Sequence, residues 1–228
     1  MTSLKLLSYN IRSLRDDPAA VVRVIRAAGP DVAIIQEAPR FLRWRASCAA
    51  LARRAGLLWI AGGRRSGANL LFCTMAARTL ERFDIPFSDY PKLHHRGAAA
   101  AMLELAGSQF AVAGTHLDLL EGPRLAHLAE LAAFAAERLA GVPLIVGGDL
   151  NAVPGSATWQ RCAEFGVDAF EAVGAGDGLT YSTAAPVRRI DAVFGDPRLR
   201  PIRAEVLDSA DVRQASDHRP LLVEYQLP

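Results

Sequence analysis

Residues 144–151 read Leu144, Ile145, Val146, Gly147, Gly148, Asp149, Leu150, Asn151. An apolar run thus ends on two glycines and two polar side chains at alternate positions. In extended chain alternate side chains share a face, so Asp149 and Asn151 point the same way. Other apolar runs end alike. Leu4–Tyr9 ends at Asn10, Val32–Ile35 at Gln36 and Glu37, and residues 109–114 at Thr115 and His116. Asp191 sits inside an apolar run, and Asp217 with His218 interrupts the chain just before the last one. Gathered at one edge, these ends would make a site of four carboxylates, two imidazoles and two amides.

That inventory suits a particular chemistry. Carboxylate and amide oxygens favour a hard cation such as Mg²⁺, with Mn²⁺ as a substitute. Neither a cysteine cluster nor a His-Glu-x-x-His helix is present to favour zinc. A hard cation beside neutral imidazoles suits attack of water on a phosphate, where one imidazole moves a proton and a carboxylate behind it fixes the tautomer. Taken singly each residue has an ordinary reading. Asn10 is a turn former, Glu37 before Pro39 a solvated or helix-start residue, His116 a hydrogen-bonded structural histidine. Asp191 is harder to dismiss, because a buried carboxylate needs a partner. Together they point to one site.

The elements that must position these groups follow from pattern. Asp16, Asp17 and Pro18 signal a helix start; valines and isoleucine at helical spacing follow, and Gly29 with Pro30 stops the helix. Strand, helix, strand therefore opens the chain. A helix is expected over Phe41–Ala55, a strand over Leu57–Ala61, a glycine- and arginine-bearing loop over Gly62–Gly67, and a strand over Leu70–Cys73. Residues 80–86 are ambiguous. Ala98–Leu105 and Gln109–Gly114 around a glycine-containing turn predict an antiparallel hairpin. Arg124–Ala140 is the clearest helix and Ser156–Phe165 a short one. Further extended pieces are expected at 180–182, 189–194, 202–207 and 221–225. The mixture of hairpin and strand-helix-strand connections predicts helices packed on mixed sheets.

Composition narrows the rest. The 228 residues suffice for one domain, 1–228, and 51% hydrophobic with 22% charged residues describes a globular chain. A net charge of +2 is too weak to argue for nucleic acid. Lys5 and Lys92 are the two lysines, leaving 24 arginines among 26 basic residues; with so much alanine this reads as codon bias. Three scattered cysteines, Cys48, Cys73 and Cys162, fit buried thiols in a reducing compartment. No leader pattern precedes Leu4, and no apolar run approaches the length of a membrane span, so a cytoplasmic location without membrane insertion is expected.

Seven stretches closely resemble the endonuclease/exonuclease/phosphatase superfamily, related to pancreatic-type deoxyribonuclease. They are residues 8–12, 35–37, 96–97, 114–117, 147–151, 189–191 and 216–220, in family order. The resemblance implies a four-layer α/β sandwich, two packed mixed β-sheets flanked by helices in pseudo-twofold halves, with the site at one edge. It implies Glu37 as principal Mg²⁺ ligand with Asn10 beside it and Asp217 in the metal shell. His218 would be general base or phosphate-polarising imidazole, oriented by Asp191. Asp149 and Asn151 would position water and phosphate, and His116 would contact phosphate or leaving group. Asn69, Arg96 and Asn151 are expected to contact substrate, although Arg96 also suits a structural use. Abasic-site enzymes of this group carry an acidic residue where Arg12 stands and a tyrosine where His116 stands, so abasic-site repair is not expected.

Three functions follow. A Mg²⁺-dependent phosphodiesterase acting on DNA or RNA is expected first, supported by Arg64, Arg65, Arg188 and Arg189 on loops, though aromatics for base stacking amount to only 7%. A phosphatase or phosphodiesterase for a small molecule or lipid headgroup is the alternative. A silent binding scaffold has least support, since every aligned position is chemically competent. The sequence does not specify an oligomeric state.

Overall fold

The computed structural model describes residues 2–227. In chain order the elements are β1 (Ser3–Asn10), α1 (Pro18–Ala28), β2 (Val32–Gln36), α2 (Trp44–Ala55), β3 (Leu58–Gly63), β4 (Asn69–Cys73), β5 (Arg78–Pro86), β6 (Gly97–Leu105), β7 (Ser108–His116) and α3 (Glu121–Arg138). Then come β8 (Leu144–Asp149), α4 (Ala157–Cys162), β9 (Val167–Asp168), α5 (Ala169–Val173), β10 (Gly174–Ala175), β11 (Asp191–Gly195), β12 (Arg200–Val206), α6 (Ala210–Ala215) and β13 (Leu221–Gln226). The strands form two sheets, ordered β10-β12-β13-β1-β2-β4-β3 and β5-β6-β7-β8-β11-β9.

Each sheet is built around one parallel pair joined by a helix: β1 and β2 through α1, β7 and β8 through α3. Antiparallel strands flank each pair, β13 and β4 in the first sheet, β11 and β6 in the second. The two halves thus repeat one plan.

Period-2 alternation sorts the side chains into layers. Leu4, Leu6, Val32 and Ile34 from the first sheet meet Phe110, Val112, Ile145 and Val193 from the second in the central core. Leu7, Tyr9, Ala33 and Ile35 face the other way and pack on α1, α2 and α6. Ala113, Val146, Ala192 and Phe194 pack outward against α3 and α4. The result is a four-layer α/β sandwich with mixed sheets.

The signals at α1 act as expected. The Asp17 carboxylate accepts from the Ala19 and Ala20 amides at 2.7 and 3.1 Å, Pro18 opens the first turn, and Gly29 closes the helix in the left-handed region. Elsewhere boundaries move. The helix expected from Phe41 starts at Trp44, because Arg43 takes a left-handed backbone (φ 58°), leaving Phe41 and Leu42 in a loop. The helix expected from Arg124 starts at Glu121, since Pro123 falls in the first turn, where a missing N–H breaks no helical bond. The ambiguous stretch before Pro86 is strand, at a sheet edge where proline is tolerated. Cys48, Cys73 and Cys162 are buried and free. Among the described residues no helix is long and apolar enough to cross a membrane.

Candidate active site

The face that forms the central core changes character at one end. Following the alternation, β1 carries Leu4, Leu6, Ser8 and Asn10; β2 carries Val32, Ile34 and Gln36; β7 carries Phe110, Val112, Gly114 and His116; β8 carries Ile145, Gly147 and Asp149. Register does the gathering. Asn10 is paired with Gln36, His116 with Asp149, and Asp149 with Asp191 on its other side.

The last apolar layer beneath the site is unusually close. A Cβ at Gly114 would lie 2.3 Å from Ile34 Cγ2, and one at Gly147 would lie 3.1 Å from Ile34 Cδ1. Both glycines therefore give Ile34 room between the sheets. Beyond this layer several chain exits turn into the left-handed region without glycine: Arg12, Ser13 and Leu14 after β1, Glu37 after β2, and Asn151 after β8. Such conformations cost of order 1–3 kcal/mol each and persist where surrounding contacts fix them. Here the Ser13 amide donates to the Glu37 carbonyl at 2.8 Å and the Asn151 amide to Asp149 Oδ1 at 3.0 Å.

The centre is the Asp149 carboxylate, almost fully buried. Its Oδ2 lies 3.4 Å from His116 Nε2 and 3.5 Å from His218 Nε2, and accepts from Asn10 Nδ2 at 3.0 Å. The same amide nitrogen donates to Glu37 Oε1 at 3.2 Å, so Asn10 bridges two carboxylates. The Asn10 oxygen accepts the Arg12 amide at 3.0 Å. His218 Nδ1 is 2.9 Å from Asp191 Oδ2. Asn151 Nδ2 donates to the Leu117 carbonyl and to His116 Nε2, each at 3.0 Å. That second bond requires an unprotonated Nε2, which makes His116 the Nδ1–H tautomer facing Glu37 Oε1 at 4.0 Å.

The two imidazoles are thereby driven apart. Burial pushes the His116 proton affinity down to about 3; Asp149 pulls upward, while Arg96, His218 and Arg40 add to the lowering. For His218 burial acts downward too, but Asp191, Asp149 and Asp217 outweigh it and raise the value to about 10. A neutral imidazole and an imidazolium thus share one carboxylate.

Asn10, Glu37, His116, Asp149, Asn151, Asp191 and His218 are brought together. The remaining expected residues, and one of these seven, have partners of their own. Asn69 is fully buried, and its amide nitrogen donates to the carbonyls of Ser66 and Gly97 at 2.7 and 3.0 Å, so it anchors the 64–68 loop. Arg96 is buried with its Nε 3.8 Å from Asp118 Oδ2, which favours the structural use. Asp217 pairs with Arg12 Nε at 3.4 Å, where a metal-shell position was expected. Asn10, expected as a ligand, uses its nitrogen to hold carboxylates.

Several contributors escaped sequence reasoning. The Thr180 hydroxyl accepts from the Ile190 and Asp191 amides at 3.2 and 3.3 Å. The Tyr181 ring lies against His218 with centroids 4.9 Å apart. The Ser216 hydroxyl donates to the Asn10 carbonyl at 2.8 Å, tying β1 to the His218 loop. Asp118 had a signal, standing two positions after His116.

The donor set fits a hard cation. Ligand atoms of Asp149, Asp191 and His218 lie within 4.8 Å of one another. Those three are already engaged with each other, whereas Glu37 is part-exposed and turned toward the same centre. Asp191 Oδ1 is buried without a hydrogen-bond partner. An oxygen-rich site with an orphaned carboxylate oxygen suits Mg²⁺ chemistry better than a sulfur-selecting metal.

The sequence matches the Endonuclease/Exonuclease/phosphatase family over residues 7–218, and the chain belongs to that family. No curated protein matches it. Solved structures with the same fold include an endonuclease/exonuclease/phosphatase from Bacteroides vulgatus, 20% identical, covering 100% of both chains with a TM-score of 0.83. A mannosyl-6-phosphatase from Bacteroides thetaiotaomicron is 18% identical over 98% of this chain and 100% of its own, with a TM-score of 0.81. TDP2 from D. rerio, complexed with single-strand DNA product, is 18% identical over 99% and 100%, with a TM-score of 0.74.

Proposed function

We propose that the chain, acting as one catalytic domain over 1–228, hydrolyses phosphodiester bonds with the help of Mg²⁺, for which Mn²⁺ can substitute. One observation carries the reading: a single buried Asp149 oxygen lies between a neutral His116 and a protonated His218 and is tied through Asn10 to Glu37. Glu37 would hold the cation, with Asn10 setting the carboxylate's orientation and Asp217, already paired with Arg12, at the periphery. When bound, the cation would supply Lewis acidity toward a phosphoryl oxygen and offset its charge.

The chain's own groups divide the remaining work. Asp191 holds His218 so that its Nε2–H is directed to the centre, where it donates to a phosphoryl or departing oxygen. The imidazolium form favours this phosphate-polarising role over that of base. Asp149 then orients the attacking water and receives its proton. The Asn151 amide and His116 fix the opposite side, and the Tyr181 ring limits water access to His218.

Nucleic acid is the carrier favoured by the arginines of the 64–66 loop and Arg188, and TDP2 in complex with DNA product shares the fold. The mannosyl-6-phosphatase, on the same fold, supports a small phosphoester instead. The test is nicking of supercoiled plasmid beside hydrolysis of bis(4-nitrophenyl) phosphate, each with Mg²⁺ and with chelator, for wild type and His218→Ala. Metal-dependent turnover that disappears in the variant is expected. Nicking assigns nucleic acid, and hydrolysis of the small diester alone assigns the second carrier. Turnover that survives in His218→Ala would overturn the site.

A further inference from the structure

The loops that leave the polar end of the sandwich carry large apolar side chains exposed to solvent. Leu42 is 92% exposed, Leu119 73%, Phe41 71% and Val187 70%, with Leu120 and Val153 also exposed. Their positions in the chain place them around the mouth. Phe41 and Leu42 follow Glu37 by four and five residues, and Leu119 and Leu120 follow His116 by three and four. Val153 follows Asn151. Val187 precedes Arg188, whose guanidinium lies 5.0 Å over Tyr181, the ring that rests on His218. Arg40 is near enough to His116 to help depress its proton affinity, which brings the base of the Phe41 loop to the site itself. The charged neighbours are mostly cationic. Arg43, Arg45 and Arg188 are exposed and Arg40 part-exposed, against exposed Glu121 and the part-exposed Glu37 and Asp217 of the site, the last paired with Arg12.

We infer that this rim docks on an anionic lipid surface. A strand of nucleic acid would call for stacking platforms, but five of the six apolar side chains are aliphatic and offer no π-face. Aliphatic groups flanked by arginines fit the boundary between acyl chains and anionic headgroups, where the apolar tips leave water and the guanidinium groups meet phosphate. The contact is peripheral and involves no spanning segment. The inference concerns a surface and does not depend on the phosphodiesterase reading.

The test uses the intact chain with two kinds of vesicle, phosphatidylcholine alone and an equal mixture with phosphatidylglycerol, read by co-sedimentation. Binding to the mixed vesicles that weakens as salt rises is expected, with little binding to phosphatidylcholine alone. The double variant Leu42→Ser and Leu119→Ser should bind roughly tenfold or more weakly, as loss of two apolar contacts implies. Met75→Ser is the control, since Met75 is as exposed but leaves the opposite end of the sheet after β4. Urea unfolding of both variants establishes that they fold, and their turnover of bis(4-nitrophenyl) phosphate should match wild type. Failure of wild type to sediment with mixed vesicles overturns the proposal, as does equal binding by the rim variant. Loss of oligo(dT) binding in the rim variant, without vesicle binding in wild type, would reassign the rim to nucleic acid. Vesicle binding without any hydrolysis would leave the surface standing and sink the catalytic reading.

Discussion

Gly114→Ala tests whether the glycine layer beneath the site is what lets the core become a catalytic centre. Gly114 has no positive φ, so alanine suits its backbone, and on backbone entropy alone the change would stabilise the protein by about 0.4–1 kcal/mol. Packing opposes this. The new methyl would stand 2.3 Å from Ile34 Cγ2, where carbon atoms prefer about 3.5–4.0 Å. More than an ångström must be found, and Ile34 cannot retreat freely because its Cδ1 already lies close to position 147. Overpacking of this kind costs roughly 1–3 kcal/mol, which for a chain of this size lowers Tm by about 2–4 °C per kcal/mol. The strain falls two residues before His116 on β7 and two before Asp149 on β8, so it should open the 3.4 Å approach between them. Displacements of about 1 Å in such sites can lower turnover about 10²-fold. Urea unfolding and bis(4-nitrophenyl) phosphate turnover read the two effects. Ile34→Ala removes Cγ2, so in the Gly114→Ala background it should cost about 1–2 kcal/mol less than in wild type. Gly114→Ala with wild-type stability and turnover, or an Ile34→Ala cost equal in both backgrounds, would refute the argument.

His218→Ala should reduce turnover ~10²-fold or more, and Asp191→Asn should follow it closely, because the amide cannot hold the imidazolium; single-turnover hydrolysis measures both. Stability in chelator should peak near pH 6.5. His218, raised to about 10, contributes stability that is complete below its ordinary value of 6.5 and is lost as pH rises from there toward 10. His116, lowered to about 3, contributes stability that is complete above 6.5 and is lost as pH falls toward 3. Urea midpoints from pH 4 to 9 check this, and the alkaline decline should flatten in Asp191→Asn.

Much of this architecture was legible because one periodicity serves both core and site. Apolar runs with alternating outward faces marked β1, β2, β7 and β8, and each carried its polar residue to the correct end. Asp17, Pro18 and Gly29 marked α1 by local chemistry alone. What stayed hidden depended on partners distant in sequence. Nothing in the neighbourhood of Asn69 announces that the Gly97 carbonyl will take its amide nitrogen. The pairing of Asp217 with Arg12 was hidden because Arg12, 205 residues earlier, had no visible reason to approach it. Thr180 and Tyr181 lie in irregular chain, without a period, and owe their places to Asp191 and His218. Arg43 delayed the start of α2 through its backbone angle, which composition does not encode.

The charge inventory argues for the cation more directly than any motif. Asp217 has Arg12, Asp118 has Arg96, Asp168 has Arg189, and Asp191 has the His218 imidazolium. Asp149 and Glu37 share one neutral amide; Asp149 also accepts the Asn151 amide and lies beside the imidazolium already claimed by Asp191, and Arg96, which acts on both carboxylates, is paired with Asp118. Two carboxylates bridged by Asn10 are therefore short of positive charge, and a divalent ion would relieve that shortage. Mg²⁺ at about 100 times its dissociation constant should add about 2.7 kcal/mol to stability, or roughly 5–11 °C in Tm for a chain of this length. Glu37→Gln should remove most of that shift while leaving the chelated protein as stable as wild type or slightly more so, since it deletes an uncompensated charge. Differential scanning calorimetry with Mg²⁺ and with chelator reads both quantities. An equal Mg²⁺ shift in Glu37→Gln would mean that the ion is held elsewhere, and a chelated variant much less stable than wild type would mean that Glu37 is a structural carboxylate whose charge the fold already satisfies.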